Sequence, residues 1–249
     1  MKLRLDILLL ALISTPAAAG DSIAREPTAL IYSGPGACEE GCVEAAAEIA
    51  RLEGYTPILV GADEKPQEFW ASASAWIQPG GTSNDVARHM NPTLKSWIQN
   101  FVKEGAAYVG YCAGGFFSTA DIGGRGIAGL GVMPGINRLY EARDENVYIT
   151  EVTWNGKPRH VYWEGGPYFV LPETPVGQEP TVWPIATYPD GTVAAAQALY
   201  GKGRVSVSGP HPEAPTSWRS YYKLDDADGA DLDLAREMLR WAIAADQAN

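Results

Sequence analysis

Short apolar runs alternate with helical patterns along the first half of this chain, and glycine or proline ends each run. That rhythm leaves few architectures open. Residues 29–33 (Ala-Leu-Ile-Tyr-Ser) read as a strand, followed by the turn Gly34-Pro35-Gly36. Residues 39–52 carry Val43, Ala46, Ile49 and Ala50 on one face of a helix, with Gly54 as its stop. Residues 57–60 and 75–78 read as the next strands, the latter ending in Pro79-Gly80-Gly81. Residues 92–104 form an amphipathic helix with Leu94, Trp97, Ile98 and Phe101 as its stripe. Residues 106–111 then run as a strand into Cys112-Ala-Gly-Gly-Phe116. Strand and helix alternating in this way predict an α/β fold, a doubly wound parallel sheet with helices on both faces. The pattern changes further on. Residues 148–154 and 159–163 flank Asn155-Gly156, a two-residue hairpin signal. Strands at 182–188, 193–199 and 204–208 follow, so an antiparallel β extension is expected before a closing helix at 231–245. No internal repeat or low-complexity linker interrupts residues 20–249, which read as one domain.

The first residues read differently. Lys2 and Arg4 precede an apolar run at 7–13, then Ser14-Thr-Pro16 and Ala17-Ala-Ala19. This is the grammar of a cleavable signal peptide over residues 1–19, and it predicts a periplasmic or secreted protein. The run is far shorter than the roughly 20 residues of a membrane span, so none is expected in the mature chain. The formal net charge is −11, with no basic stripe, which argues against nucleic-acid binding. Three cysteines are present. Cys38 and Cys42 could bridge one turn at a helix start or remain two buried thiols, whereas Cys112 has no partner in sequence.

Chemistry concentrates around Gly110-Tyr111-Cys112-Ala113-Gly114. A strand enters this segment and a helix of small and apolar residues leaves it. A nucleophile on such a sharp turn is pushed out of the backbone path at the sheet's carboxyl edge, and nearby glycines relieve the crowding. The helix behind it favours a thiolate and offers free N–H groups to a developing oxyanion. About a hundred residues later, Ser208-Gly-Pro-His211-Pro-Glu213 follows another strand. In an extended segment His211 and Glu213 would point to one side, so the carboxylate could fix the imidazole tautomer and leave its other nitrogen for the thiol proton.

Cys112 with His211-Pro-Glu213 resembles the catalytic triad of class I glutamine amidotransferases, whose fold is flavodoxin-like. The resemblance implies that Gly81 or Gly80, together with the Ala113 N–H, would form the oxyanion hole. A closer likeness is to the amidotransferase-like domain at the N-terminus of eukaryotic biotin-protein ligases. It rests on Gly34-Pro-Gly36 with Cys42, Gln78-Pro-Gly-Gly81, Gly110-Tyr-Cys-Ala-Gly-Gly115 and Tyr162-Trp-Glu-Gly-Gly-Pro-Tyr-Phe169. The biotin-ligase catalytic domain has no counterpart here, so biotinylation is not implied. Tyr111, Glu164, Gly165, Gly166 and Tyr168 are the expected substrate contacts.

Other patterns carry less. Gly124-Arg-Gly126-Ile-Ala-Gly129 fits a dinucleotide fingerprint by letter but neither follows a strand nor opens a helix. His89, His160 and His211 lack metal-ligand spacing, and no metal or cofactor is expected. Asp225, Asp226, Asp228, Asp231 and Asp233 read as a solvated helix start. Two functions remain. One is a cysteine hydrolase of a carboxamide or γ-glutamyl-like bond in a small-molecule or peptide-like substrate. The other is a non-catalytic module that keeps the fold and binds a small molecule or a cell-envelope partner, with a redox-sensing thiol at Cys112 as a weaker third.

Overall fold

The computed structural model describes residues 26–38, 41–141 and 146–244. The predicted signal segment lies outside them. The strands in chain order are β1 (Thr28–Tyr32), β2 (Thr56–Val60), β3 (Ala75–Gln78), β4 (Ala107–Tyr111), β5 (Ile136–Leu139), β6 (Val147–Trp154), β7 (Lys157–Glu164), β8 (Pro167–Val170), β9 (Val182–Thr187), β10 (Val193–Tyr200) and β11 (Gly203–Ser208). The helices are α1 (Cys42–Leu52), α2 (Ser83–His89), α3 (Pro92–Lys103), α4 (Ala113–Ser118), α5 (Thr216–Tyr222) and α6 (Leu232–Ile243).

The strands pair in the order β2-β1-β3-β4-β11-β10-β9-β6-β7. The first five of these are parallel, and the doubly wound order expected from the sequence is present. The remaining four are antiparallel, with β5 and β8 attached beside β10. The Asn155-Gly156 hairpin forms between β6 and β7, with φ of 46° and 79° at its two turn residues.

Alternation sorts the side chains of the parallel strands. Ala29, Ile31, Ile77, Val109 and Tyr111 pack on one face in a cluster with α1 and α6 residues such as Ile49 and Met238. Leu30, Trp76, Tyr108 and Val205 pack on the other, against Leu94, Ile98 and Val102 of α3 and Phe117 of α4. Both faces are covered, which is why these strands are almost continuously apolar. Helix α3 starts sharply because the Asn91 side chain accepts the Thr93 N–H at 2.8 Å and Pro92 fills its first turn. The anticipated helix at 39–52 is described from Cys42 onward; residues 39 and 40 lie outside the described set. α2, α5, β5 and β8 were not anticipated. Each is seven residues or fewer and too short to show a period.

Among the described residues no helix is long and apolar enough to cross a membrane, and no group of three or more His, Cys, Asp or Glu side chains could hold a metal ion.

Candidate active site

The strand β4 ends in a bend at Cys112, whose φ of 47° and ψ of −102° are rare for a residue with a side chain. Such strain persists only where the surroundings enforce it. Here the Cys112 N–H donates to Ser208 O at 2.8 Å, tying the bend to the end of β11, while Phe116 N–H donates to Cys112 O at 3.0 Å as α4 begins. The flanking glycines are steric requirements. A methyl group on Gly110 would sit 2.6 Å from Gly114 O, and one on Gly114 would collide with Gln78 O.

His211 arrives from the end of β11. Its N–H donates to Tyr162 O at 2.8 Å, and its Nδ1 lies 2.8 Å from Glu213 Oε1. His211 and Glu213 are buried, at 2% and 1% exposed. They are not in an extended segment, as the sequence suggested. Ala214 N–H donates to His211 O at 3.1 Å, and the backbone turns at Pro212-Glu213, which folds the carboxylate back onto its own imidazole. With Nδ1 held by Glu213, Nε2 is the nitrogen left for Cys112.

Burial disfavours the imidazolium, but Glu213 and Cys112, each by charge and by hydrogen bond, outweigh it and carry the His211 pKa well above 6.5. The folded state therefore keeps a proton that the unfolded chain gives up. Stability from this pair is complete below about pH 6.5 and is lost as pH rises through the folded value. Cys112→Ala removes one of the two groups holding that proton. The His211 Cε1–H titration, followed by NMR, is expected to move to lower pH in the variant. An unchanged midpoint would show that thiol and ring do not communicate.

The Gly80-Gly81 loop completes the floor. A Cβ on Gly80 would lie 2.5 Å from His211 Cε1 and 3.2 Å from Cys42 Sγ, so Gly80 is the seat against which the imidazole rests. Gly80→Ala is expected to tilt the ring and reduce iodoacetamide labelling of Cys112 by about tenfold or more, since small misplacements of a catalytic group cost that much or more. Labelling at the native rate would show that the ring has room to yield. Gly81 lies beside Ala37 in a β-bridge, held by Cys38 N–H to Gly80 O (3.1 Å) and Thr82 N–H to Gly36 O (2.7 Å). Among the described residues, neither the Gly81 N–H nor the Ala113 N–H is engaged in a backbone hydrogen bond.

Above this floor opens a cavity of about 560 Å³, lined by Cys112, His211, Gly81 and Glu164 together with aromatic residues of β7 and α5. Glu164 is the one expected substrate contact that lines it. Its carbonyl accepts the Cys112 thiol at 3.4 Å, and its Oε2 accepts the Tyr162 hydroxyl at 2.8 Å. Burial, followed by the Glu164 hydrogen bond, pushes the Tyr162 phenol well up. The other four expected contacts do not line the cavity. Tyr111 faces the opposite way, with its hydroxyl 3.5 Å from Ala235 O of α6, because strand parity turns it into the core. Gly166, just before β8, packs against the Gly209 backbone too closely for any side chain. Gly165 supplies a left-handed turn residue (φ 65°), and Tyr168 packs on the core cluster beneath the antiparallel strands.

Sequence reasoning missed most of the wall. Trp218, Tyr221 and Tyr222 line the cavity from α5, and Tyr162, quoted only as a motif letter, lines it from β7. The Tyr162 ring meets His211 nearly edge-on (5.8 Å, 80°) and Trp218 at 5.4 Å. Cys38 and Cys42 form a disulfide, with Cα atoms 5.4 Å apart, and both line the cavity.

Helix α5 is anchored by ions. Arg219, 3% exposed, pairs with Asp226, donates to Asp231 Oδ2 at 2.8 Å and donates to Ala214 O, also at 2.8 Å. Arg159 donates to Asp231 Oδ1 at 2.9 Å and to Asp233. Burial pushes Asp231 up to about 7, against the pull of Arg159 and Arg219. The aspartates read as a solvated helix start are thus partly a buried network, because Arg219 from the neighbouring helix and Arg159, 72 residues before Asp231, reach them. The network ends on the carbonyl beside Glu213.

The fold is similar to that of the glutamine amidotransferases. A solved structure described as a glutamine amidotransferase superposes with a TM-score of 0.61 at 20% identity, over 85% of this chain and 98% of that one. A glutamine amidotransferase from Thermotoga maritima gives 0.52 at 16% identity, over 89% and 91%. At such identities the likeness shows the fold alone. Residues 28–124 match the family described as "Biotin-protein ligase, N terminal". The chain is similar to the biotin–protein ligase of Schizosaccharomyces pombe, 28% identical over 184 residues, which is 64% of this chain but only 28% of the relative's length.

Proposed function

We propose that this chain is an exported cysteine hydrolase of the glutamine amidotransferase type, cleaving a carboxamide or γ-glutamyl-like bond. The reading is carried by one observation. A strained, buried Cys112 shares a cavity floor with an imidazole that a buried carboxylate holds by Nδ1 at 2.8 Å. In the reaction, Cys112, having already passed its proton to His211 Nε2, attacks the carbonyl carbon as the thiolate. The oxyanion of the tetrahedral intermediate rests on the Gly81 and Ala113 N–H groups. His211 then returns the proton to the departing amine, leaving a thioester that water hydrolyses by the same route. Export would follow from residues 1–19 acting as a signal peptide.

A second reading has its own support. The Glu164 carbonyl, 3.4 Å from Cys112 Sγ, occupies the thiol as a hydrogen-bond partner, which suits a cavity that binds without turnover. A panel of primary and secondary carboxamides and γ-glutamyl compounds separates the two. The hydrolase releases amine and shows an acyl mass on the Cys112 peptide after acid quench, and Cys112→Ala shows neither. Reversible binding across the panel, with no acyl adduct and no amine released, would leave the binding module.

A further inference from the structure

The cavity wall has a chemistry that the triad does not use. Among the described residues its carboxylate is Glu164, whose Oε2 is fixed by the Tyr162 hydroxyl at 2.8 Å and whose carbonyl stands 3.4 Å from Cys112 Sγ. Trp218, partly exposed, flanks it, and the buried Tyr162 ring packs behind Trp218 at 5.4 Å. Among the described residues no lysine or arginine lines the cavity. The guanidinium nearest in sequence to the wall, Arg219, is turned away and neutralised by Asp226 and Asp231, and the His211 charge is matched by Glu213. A negatively charged arm on a substrate would enter without a partner. An ammonium would meet a carboxylate held in place and an aromatic ring, the arrangement in which cation–π attraction is strongest once water is displaced.

We infer that this cavity selects carboxamides bearing an ammonium group close to the scissile carbonyl, amino-acid amides and similar amine-bearing amides, with Glu164, fixed by Tyr162, and Trp218 holding the cation. The inference rests on the hydrolase reading for the word substrate, but the cation site itself can be tested without turnover. A zwitterion of the γ-glutamyl kind, with a carboxylate beside its ammonium, is then a poorer fit than an amide carrying the amine alone.

The test uses two thiol reagents of similar size and opposite charge on the full mature chain without reductant: 2-aminoethyl and 2-sulfonatoethyl methanethiosulfonate. In each case the Cys112 thiolate attacks the sulfenyl sulfur, a mixed disulfide forms and methanesulfinate leaves. Rates are read from the mass of the Cys112 peptide and divided by the reagent's rate with free 2-mercaptoethanol. The normalised preference for the cation is expected to be about tenfold or more, the ratio that one favourable ionic or cation–π contact supplies. It should fall below about threefold in Glu164→Gln and drop in Trp218→Ala. Glu104→Gln, an exposed change at the C-terminus of α3 on the opposite edge of the sheet, should leave it unchanged. Equal normalised rates in the native protein would overturn the inference. So would a preference that survives Glu164→Gln, since the chain's net charge would then explain it. A preference without any acyl-enzyme in the amide panel keeps the cation site and removes the hydrolase. Acylation by neutral and cationic amides alike, with no preference, does the reverse.

Discussion

Replacing His211 with alanine is expected to slow iodoacetamide alkylation of Cys112 at neutral pH by a hundredfold or more, at the lower end of what a positioned base contributes. The expectation follows from the ring's position. Nδ1 is engaged by Glu213, the thiol bears on the ring, and both side chains are largely buried on the floor of the cavity. Glu213→Gln keeps a hydrogen-bond partner but loses the charge that raises the imidazole, so its rate should fall between the native protein and His211→Ala. The native thiol should label faster than a small-molecule thiol at the same pH, and the advantage should vanish in His211→Ala. A variant that labels at the native rate would remove His211 from the chemistry and leave Cys112 as a strained but unassisted cysteine.

Arg219→Ala is expected to destabilise the fold by roughly 3–5 kcal/mol, the cost of leaving buried carboxylates without their partner. Asp226 and Asp231 are both shielded from solvent at their side chains (4% and 0%), and Arg159 alone cannot reach both. Urea unfolding followed by tryptophan fluorescence would measure the loss. Arg219→Lys should recover only part of it, because one ammonium cannot reproduce a fork that contacts Asp226, Asp231 and Ala214 O together. A loss below about 1 kcal/mol would mean that water enters the network and screens it. Thiol reactivity measured below the transition should also drop, since the same guanidinium holds the carbonyl next to Glu213.

Much of this was legible in residues alone, for identifiable reasons. β1, β3 and β4 were readable because both of their faces are covered, and only continuous apolar runs survive there. The bend at Cys112 was readable because its sterics are local: Gly110 and Gly114 are dictated by atoms a few residues or one strand away. His211 and Glu213 could be paired as a motif, but the turn that joins them is closed by an Ala214 hydrogen bond that no spacing announces. Tyr111 was misassigned, although strand parity alone puts it with Ala107 and Val109 rather than in the cavity. Helix α5 was invisible for a deeper reason. Its sequence Thr-Ser-Trp-Arg-Ser-Tyr-Tyr has no apolar stripe, and its one buried residue is Arg219. Ion pairs with aspartates further along the chain fix it, and they in turn fix the aromatic wall.

The Cys38–Cys42 bridge borders the same cavity as Cys112, so three sulfur atoms share one chamber. Dithiothreitol, the usual protectant for a free thiol, acts by thiolate exchange and does not distinguish a bridge from an oxidised Cys112. Buffers that preserve Cys112 would therefore dismantle the rim beside Gly80. Assays run with and without such a protectant would interrogate two differently shaped chambers, and a weak monothiol or an oxygen-free buffer is the condition that keeps both features intact.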